Sequence, residues 1–579
     1  MAEPTIQLGG GNWAGKSDNL LGYYKEGERF YKQDFTFSRS TTGTYTDKDG
    51  YIQEMPYNLL NYSEDFDNAA WTTLASGETI VSNSVISPDG TLNADTLEGD
   101  GSSTNVYVRQ DITLNTSTNY TFSIFAKKGT NDFLAISAEG YSGATNTIVI
   151  FDINNGSVTT GTANIEDYGN GWFRCSYTIP ISTDGVGRFL IYPAYNGTTR
   201  GFPTSSDANG QNIYLYGAQL NKGTSAKTYF PTTTRLNMPR VDYLNNSNGS
   251  LILEPQRSNL VTYSSDFSDS SWFKLGLGTA STAIVTTDYA TSPEGLNNAT
   301  RLQVDLNGGT TSSDQSLIYD ALTVSSGDNT RSIYVKSNDG NTYDVYFGGT
   351  LSSYEIKEVT SEWTRIDATR NFASAGTGYL SIGLRGGTGC SDNADILIYG
   401  AQVESGSYPT TLINTQGSSV TRNADACNIT DVADRIGQTE GTLFCEIDLN
   451  NIVSGYSQYV IVISDGSAAN RVQFLNNSGN DWQLFITANT ISNNINLTTS
   501  TSGVGRYKIA IAYKSGDVVY YINGVQKGTS NETFTFSTLT DFDLGQRYDD
   551  LFPLLNPINQ AQLYNTRLSN SELATLTTL

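Results

Sequence analysis

The stretch LILEPQRSNLVTYSSDF, residues 251–267, carries the pattern that decides the fold. Its second half repeats an earlier stretch, NLLNYSEDF at residues 58–66, and in each copy a tryptophan follows the phenylalanine by five residues, at Trp71 and Trp272. The two openings lie 201 residues apart. A repeat of that length indicates two copies of one domain, not a solenoid unit of about 20–50 residues.

Further matches follow the two openings in the same order along the chain. They are SPDG 87–90 with SPEG 292–295, SIFAK 123–127 with SIYVK 332–336, WFR 172–174 with WTR 363–365, and IYLYGAQL 213–220 with ILIYGAQV 396–403. The second copy is shorter by 18 residues over this span. Part of the difference precedes the last match, where the first copy has YPAYNGTTRGFPT, residues 192–204, and the second has GGTGCSD, residues 386–392.

Length and composition favour several all-β domains. A chain of 579 residues suggests about three or four domains. Aromatic residues reach 11%, with 36 Tyr and 56 Gly, while charged residues make up 16%. Short alternating runs recur about every ten residues, which is typical of β-sandwiches. We therefore predict an all-β protein of tandem sandwiches.

Charge and residue usage exclude several function classes. The net charge of −24 disfavours nucleic-acid binding, because such a surface repels phosphates. The absence of histidine excludes Ser-His-Asp, Cys-His and His-ligated metal chemistry. No C-x-x-C motif occurs, so we interpret the four cysteines as reduced thiols: Cys175, Cys390, Cys427 and Cys445.

The chain shows neither a signal peptide nor a membrane span. Its start, MAEPTIQLGGG, has no basic segment and no apolar run. No stretch approaches the ~20 apolar residues that a span needs. We expect a protein made in a cytosol and not inserted in a membrane.

Three segments of the chain resemble segments of known proteins. The string at 251–267 is similar to the "L-L-L-E-P-Q-R-T-N-L-x-x-Y-S-E-D-F" segment of carbohydrate-binding-like modules in bacteriophage tail, fibre and appendage proteins. FTFSRSTTGTYTDKDGYI, residues 35–52, resembles the "F-x-R-x-S-x-A-T-Y-x-D-x-x-G" segment that often precedes it, and VTRNAD, residues 420–425, resembles the exit "V-T-R-x-A-D". The resemblance implies jelly rolls, a place on a virion, a homotrimer and a host surface glycan as ligand.

The pattern changes from about residue 439. GTLFCEIDL at 441–449 is an alternating strand, and Asn523-Gly524 predicts a type I′ hairpin turn. The closing string INQAQLYNTRLS, residues 558–569, resembles the last strand of concanavalin-A-like, laminin-G-like lectin domains. A short helix follows, with Ser569 as N-cap and Glu572 completing a capping box.

These observations predict a division into six parts. They are an N-terminal virion-attachment region at 1–57, a first carbohydrate-binding-like jelly roll at 58–232, a connector at 233–258, a second jelly roll at 259–412, a linker at 413–438, and the lectin domain at 439–579. The N-terminal region has too few residues for its own core, so we expect it to be ordered by a partner subunit or another virion protein. Its apolar groups are Trp13, Phe30, Tyr31 and Phe35.

Two sets of residues are candidates for glycan binding. The first is the unmatched loop of the first module, since loops on a rigid sandwich carry function: Tyr192, Tyr195, Asn196, Arg200 and Asp207. Its alternative is packing against a neighbouring subunit. The second set is in loops of the last domain: Asp465, Asn470 and Arg471. Asp549 and Asp550 are weak calcium candidates, and we favour a solvated acidic rim there; no other cofactor is expected. Trp71 and Trp272 we interpret as buried core, and Arg257 as a carboxylate partner in a module joint.

Three functions remain open. The first is a non-enzymatic phage fibre or appendage protein that holds host surface glycan for adsorption. The second is a purely architectural head or tail decoration protein. The third is a glycan-cleaving depolymerase, which would need two carboxylates about 5–10 Å apart that no motif marks.

Overall fold

The computed structural model describes residues 2–26, 29–73, 77–114, 119–141, 147–180, 185–349, 353–453, 455–489, 495–501 and 503–579. Within these ranges the chain forms 43 strands and two short helices, so the predicted all-β fold class is confirmed. Neither described helix is long and apolar enough to cross a membrane.

Six strands precede the first module: β1 (Ile6–Gly9), β2 (Ala14–Lys16), β3 (Asn19–Glu26), β4 (Arg29–Ser38), β5 (Gly43–Thr46) and β6 (Ile52–Met55). The first module contains β7 (Thr72–Thr73), β8 (Glu78–Ile86), β9 (Leu92–Gly99), β10 (Val108–Leu114), β11 (Asn119–Lys128), β12 (Phe133–Glu139), β13 (Thr147–Asp152), β14 (Ser157–Thr160), β15 (Asn164–Gly169), β16 (Trp172–Pro180), β17 (Gly185–Pro193), α1 (Ser205–Ala208) and β18 (Asn212–Lys222).

The connector holds β19 (Arg240–Asp242), β20 (Ser250–Ile252) and β21 (Arg257–Asn259). The second module contains β22 (Phe273–Leu277), β23 (Ile284–Ala290), β24 (Ala299–Asp305), β25 (Gln315–Val324), β26 (Gly327–Ser337), β27 (Tyr343–Gly348), β28 (Tyr354–Val359), β29 (Thr364–Phe372), β30 (Gly376–Arg385) and β31 (Asn393–Ser405).

The rest of the chain forms β32 (Val420–Arg422), β33 (Ala426–Ile429), β34 (Glu440–Leu449), β35 (Gln458–Ser464), β36 (Arg471–Asn476), β37 (Asp481–Thr487), β38 (Ile495–Ser500), β39 (Gly505–Lys514), β40 (Val518–Ile522), β41 (Val525–Ser530), β42 (Asp541–Leu544), β43 (Ile558–Tyr564) and α2 (Asn570–Leu576). Ser569 and Glu572 form the predicted capping box of α2. Asn523 and Gly524 both have positive φ, as the predicted type I′ turn requires.

Each module is a sandwich of two antiparallel sheets with matching strand orders. The sheets of the first module run β14-β13-β12-β17-β10-β7 and β15-β16-β11-β18-β9-β8. Those of the second run β28-β27-β30-β25-β22 and β29-β26-β31-β24-β23. The edge strands β14 and β15 have no counterpart in the second module, and they account for part of the greater length of the first module.

The repeated tryptophans are buried at equivalent positions, as predicted. Trp71 is 4% exposed and Trp272 is 1% exposed. The indole nitrogen of Trp71 donates to the carbonyl of Tyr62 at 2.8 Å, and that of Trp272 to the carbonyl of Tyr263 at 2.9 Å. The matched Trp residues therefore stabilise the core and do not form a sugar platform.

The asparagines that open the repeats clamp three segments of each module together. Asn259 is fully buried, and its side-chain nitrogen donates to the carbonyls of Ala401 and Ile413. Its side-chain oxygen accepts from the backbone nitrogens of Val261 and Val403. Asn58 makes the same four bonds at its own equivalent positions. The asparagine at the start of each repeat thus holds its sandwich closed. Both polar atoms of its buried amide have hydrogen-bond partners.

The N-terminal region belongs to the C-terminal sandwich, so the predicted separate region at 1–57 is wrong. Strand β1 pairs with β43, and β4 pairs with β33. The apolar residues of β1, β3 and β4 lie in the same core as those of β34 and β39: Ile6, Leu8, Leu20, Phe35 and Phe37. Trp13 donates its indole N–H to the carbonyl of Gly249. The side chain of Phe30 lies outside the described part, and Tyr31 is 37% exposed.

This intramolecular pairing also removes the reason for invoking a partner to order the N-terminus. Two runs of paired strands form the C-terminal sandwich: β38-β37-β36-β35-β42-β33-β4-β3 and β41-β40-β39-β34-β43-β1. The first strands of the chain complete both runs. The chain supplies its own core partner, some 550 residues away in sequence.

A buried ionic cluster joins the two modules' connector to this sandwich. Asp425 binds Arg39 at 2.7 Å through one carboxylate oxygen and Arg240 at 2.5 Å through the other. Glu254 binds Arg240 at 2.9 Å and Arg422 at 2.8 Å. Burial opposes the ionisation of Glu254, but the two guanidiniums outweigh it and lower its pKa to about 2. The cluster, called the arginine joint below, brings together the three segments whose motifs resemble phage proteins.

The predicted role of Arg257 is confirmed in a neighbouring contact. Its guanidinium lies 3.7 Å from the buried carboxylate of Glu404 and 5.5 Å from the ring centroid of Tyr408. Arg257 therefore pairs with a carboxylate where the connector enters the second module.

A buried carboxyl in the second module gives a pH-dependent prediction for stability. Asp320 lies 4% exposed on β25 between core residues, and burial raises its pKa to about 6. The unfolded chain has the ordinary value of about 3.9, so the wild type loses stability as pH rises through about 6. We expect Asp320→Asn to gain stability relative to the wild type by about 1–3 kcal/mol on going from about pH 4 to about pH 8. Urea unfolding at both pH values measures it; an equal difference at both would contradict the burial argument.

Candidate functional site

The predicted binding loop of the first module lies on its own sheet. Tyr192 is 2% exposed, and the guanidinium carbon of Arg200 sits 4.5 Å from the centroid of its ring. Arg200 also donates to the Tyr192 hydroxyl at 2.9 Å and to the Glu139 carboxylate at 2.8 Å. Tyr195 is 44% exposed, whereas Phe202 is buried. The candidate ring of Tyr192 is therefore buried under Arg200 of its own loop.

The loop crosses the outer face of the sheet that contains β12 and β17, meaning the face turned away from the sandwich core. At one edge Thr160 of β14 donates its hydroxyl to the carbonyl of Gly197 at 2.7 Å. Near the other edge the backbone nitrogen of Phe202 donates to the carbonyl of Thr104, ahead of β10, at 2.9 Å. The extra residues of the first module thus cover its outer face.

Asn196 and Asp207 shape the loop locally. The side-chain oxygen of Asn196 accepts from the backbone nitrogens of Thr198 and Thr199, both at 2.9 Å. Asp207 forms a capping box with Thr204 at the start of α1. These bonds are those of turn and cap residues, and they use oxygens that a sugar would otherwise contact.

Two of the candidates in the last domain, Asp465 and Asn470, belong to a hydrogen-bond network within a loop. Asp465 accepts from the backbone nitrogen of Ser467 at 3.0 Å and from the Asn470 amide at 2.7 Å. The side-chain oxygen of Asn470 accepts from two further backbone nitrogens. Arg471 lies about equally far from the rings of Phe485 and Tyr548, at 5.4 and 5.2 Å. Asp465 and Asn470 are brought together, and Arg471 points to a separate aromatic cluster.

The calcium candidates are engaged with neighbouring side chains. Asp549 forms a two-point contact with Arg547, at 2.7 and 2.5 Å. Asp550 accepts from the amides of Gln546 at 2.6 Å and Asn428 at 3.3 Å. Across the described ranges no group of three or more acidic or cysteine side chains is placed to hold a metal ion.

Among the described residues, the outer face of the second module leaves aromatic rings accessible, whereas Tyr192 on the outer face of the first is covered. The outer face of the second module belongs to the sheet β22-β25-β30-β27-β28. Alternate side chains of each strand point outward from it. Tyr319 of β25 lies opposite Phe273, and Leu317 lies opposite Leu275. Leu275, Leu317 and Tyr319 line a groove of about 520 Å³, called the second-module groove, and Phe273 stacks on Tyr319 beside it. Its lining residues are Leu275, Leu277, Gln315, Leu317, Tyr319, Tyr346, Gly349, Tyr379, Ser381 and Arg385.

Aromatic rings occupy both sides of the groove. On one side Phe273 and Tyr319 stack, with centroids 5.1 Å apart and planes 14° apart, and Tyr379 meets Tyr319 edge-on at 6.0 Å. On the other side Tyr346 and Tyr354 stack at 4.9 Å. Phe273 is 51% exposed. Phe273 is therefore the exposed ring of this set, whereas Tyr346 is fully buried beside Tyr354 and Arg385.

A glycine opens the floor between the two aromatic sides. Gly383 of β30 lies between Leu317 of β25 and Tyr346 of β27 in the sheet register. Its φ is +148°, and a Cβ there would come 2.5 Å from the Cα of Leu317. Only glycine fits this backbone, and its missing side chain leaves room along the floor.

Polar groups stand at the ends and walls of the groove. The Arg385 side chain is fixed by donating Nε to the carbonyl of Ser312 at 3.0 Å, with its guanidinium 5.9 Å from the Tyr346 centroid. The Tyr346 hydroxyl donates to the carbonyl of Gly349 at 3.3 Å, and burial raises its pKa, so it stays a neutral donor. Gln315 lies beside Arg385 across the β25–β30 pairing. Aromatic faces with a few fixed hydrogen-bonding groups are what a glycan site requires.

The sequence analysis missed this site although a signal for it is present. Strand β22 reads Phe273, Leu275 and Leu277 at alternating positions, and Leu317 and Tyr319 alternate likewise on β25. Apolar residues on both faces of β25 predict burial on both sides, whereas Tyr319 on the second face is only half-buried. The short segment at 386–392, which replaces the covering loop of the first module, marks where that cover is lost.

The concanavalin-A-like character of the last domain is supported by comparison with protein families. The model of the concanavalin A-like lectin/glucanases superfamily matches residues 421–574. The predicted lectin-like sandwich is thus confirmed. Comparison of the sequence with curated proteins finds no match.

Solved structures with partial likeness include carbohydrate-binding modules, a pentraxin and a sialidase. The CBM40 of Ruminococcus gnavus IT-sialidase is 16% identical with TM-score 0.22, covering 25% of this chain and 85% of that one. Domain 4 of AbnA, an arabinanase of Geobacillus stearothermophilus in complex with arabinotriose, is 15% identical with TM-score 0.23, covering 30% and 84%. The tandem CBM22 modules of Paenibacillus barcinonensis Xyn10C are 11% identical with TM-score 0.21, covering 60% and 97%. At these TM-scores the likenesses carry no argument about the site.

Proposed function

We propose that this chain is a glycan-binding protein and that the second-module groove holds the glycan. The observation that carries the proposal is an uncovered aromatic face on a rigid sheet, on the same sheet that the first module covers with its own loop. A groove of about 520 Å³ falls in the size range of small-ligand sites, about 300–1,000 Å³.

The groove offers the two kinds of contact that sugars need. The C–H faces of a pyranose ring pack on aromatic rings such as Tyr319 and Tyr379, and this burial of apolar surface is favourable. Sugar hydroxyls can exchange hydrogen bonds with Gln315, Ser381 and Arg385 at the walls. Because the lining residues sit on strands, the free protein holds them in place and binding orders few side chains.

The lectin-like match of the last domain supports a binding class of function. Residues 421–574 match a superfamily that includes lectins, and glucanases are its other named class. The described lining of the second-module groove offers aromatic and hydrogen-bonding contacts, which suit holding a chain better than the paired carboxylates of a glycosidase would. We therefore favour binding over cleavage.

Adsorption of a bacteriophage to its host is the finer form of this proposal. It is supported by the three motif segments, 35–52, 251–267 and 420–425, which resemble phage fibre and appendage proteins and which supply the arginine joint. In this form the chain is a virion protein, a homotrimer, bound to another virion component. A purely architectural decoration protein is the alternative, and it would leave the second-module groove without a glycan.

The test is a glycan-array and affinity-electrophoresis comparison of the whole chain with two variants. Phe273→Ala removes the exposed ring that stacks on Tyr319 at the edge of the groove. Tyr195→Ala is the matched control, because this ring is similarly exposed, at 44%, on the covering loop of the first module. We expect Phe273→Ala to weaken binding about tenfold and Tyr195→Ala to leave it unchanged. Loss with Tyr195→Ala alone would move the site to the first module, and no binding to any glycan would refute the proposal.

A further inference from the structure

A second chamber lies between the two modules, on the opposite side of the second sandwich from the groove. It measures about 320 Å³ and shares Tyr120, Lys222, Asn414 and Val420 with a neighbouring cavity of about 450 Å³. The first module contributes Tyr120 and Lys222. The second module and the segment after it contribute the rest of the lining, including Ser265, Glu294, Asn298, Thr300 and Asn414.

Comparison of the repeats shows why the chamber is open only beside the second copy. In the first module the Tyr229 hydroxyl donates to the Glu64 carboxylate at 3.1 Å and shares a hydrogen bond with Ser63 at 2.8 Å. The positions that correspond to Tyr229 and Glu64 in the second module are Leu412 and Ser265. Two large side chains that bond each other are thus replaced by two smaller ones that do not.

A third replacement leaves a polar atom without a partner in the chamber wall. Asp95 of the first module accepts hydrogen bonds from the backbone nitrogens of Phe66 and Asn83, both at 2.9 Å. Its counterpart is Thr300, which pairs with β31 in the same register as Asp95 pairs with β18. Thr300 is 1% exposed, and its hydroxyl has no hydrogen-bond partner among the described residues. A buried hydroxyl left unpaired is unfavourable, so a ligand or water that pairs with it is favoured.

A carboxylate stands at the centre of the chamber. Glu294 is 9% exposed and accepts from the amides of Asn414 at 3.3 Å and Asn298 at 3.4 Å. The Lys222 ammonium is 3.8 Å away. The side-chain oxygen of Asn298 has no partner within the described part of the chain. Donors and acceptors therefore alternate around a space about the size of one or two sugar rings.

We propose that this chamber binds a neutral sugar of one or two rings, at a site separate from the second-module groove. Every sugar hydroxyl both donates and accepts, which matches a wall of carboxylate, amide, hydroxyl and ammonium groups. The lining carries three carboxylates, on Asp266, Asp288 and Glu294, against the single ammonium of Lys222. That excess of negative charge selects against sialic and uronic acids.

The test uses the whole chain with the second-module groove disabled by Tyr319→Ala and Tyr379→Ala, so that the two sites are read independently. Saturation-transfer NMR is recorded with glucose, galactose, mannose, N-acetylglucosamine, maltose and lactose. We expect at least one of these to give a signal in this background. Adding Ser265→Glu, the residue of the first module, should weaken that binding at least about tenfold by filling the chamber. Ser270→Glu, an exposed change nearby, is the charge-matched control.

A second variant protects the test if Ser265→Glu disturbs folding. Thr300→Val keeps the side-chain shape and removes the unpaired hydroxyl, and we expect it to weaken the sugar's binding about fivefold. The proposal is overturned if none of the six sugars binds the groove-disabled chain, which would leave a chamber filled by water. It is equally overturned if a sugar binds and neither Ser265→Glu nor Thr300→Val weakens it. Glycan binding lost by disabling the groove, with the chamber sugar retained, separates this site from the proposed function.

Discussion

Replacing Asp425 by Ala should destabilise the chain by about 3–5 kcal/mol. Both carboxylate oxygens of Asp425 are engaged, and its removal leaves Arg39 and Arg240 buried with one carboxylate, Glu254, among three guanidiniums. A buried charge that has lost its partner is far more costly than a surface pair. Calorimetry should show a lower unfolding temperature and a separation of the lectin-like sandwich from the second module.

The matched control for this change is Asp132→Ala. Asp132 also pairs with a cation, Lys128 at 2.6 Å, but both side chains are 44% exposed. Exposed pairs contribute about 0–1 kcal/mol, so we expect little change. Equal shifts in the two variants would mean that the arginine joint does not hold the domains together.

The double change Tyr319→Ala and Tyr379→Ala should reduce affinity for the bound glycan about a hundredfold. Each ring supplies a stacking face in the second-module groove, and aromatic contacts contribute about 0.5–1.5 kcal/mol each beyond their area burial. The loss of buried apolar surface adds to this. Isothermal titration with the best glycan from the array measures the change.

We expect this double variant to fold, because both tyrosines are only partly buried on the outer face. Its unfolding temperature is measured as a separate check. Near-wild-type unfolding temperature with lost binding is the expected result. The control is Tyr168→Ala in the first module, where a ring 47% exposed lines neither the groove nor the chamber. Retained affinity in the double variant would exclude the second-module groove as the main site.

The repeated strings predicted more of the fold than composition could. The Asn and Trp of each opening are buried and make the same hydrogen bonds in both copies, so their repetition reflects a packing need. The capping box at Ser569 and the turn at Asn523 were also predictable, since each depends on neighbouring residues alone.

Pairings between distant segments could not be predicted from the sequence. Strand β1 adds to β43 at the other end of the chain, and alternation within a strand does not say which strand it joins. The N-terminal segment therefore looked too small to fold alone, when it completes a core whose other residues are Leu251, Leu253 and residues from Cys427 onward.

The site prediction failed for a related reason. The loop with Tyr192 and Arg200 was expected to be exposed because the second module lacks it, but its aromatic and charged groups bind each other and its own sheet. Comparison of the two copies shows which residues are additional in the first module, but it does not show where those residues pack. The consequence of the deletion, an uncovered face around Tyr319, was the informative feature.

The most direct test of the central claim is a crystal structure of the whole chain with the best-binding oligosaccharide from the array. We predict sugar density along the outer face of β22, β25, β30 and β27, with a ring packed on Tyr319 or Tyr379 and a hydroxyl bonded to Arg385 or Gln315. Density on the covering loop at Tyr195, or in the loops around Asp465 and Asp549, with the second-module groove empty, would contradict the account.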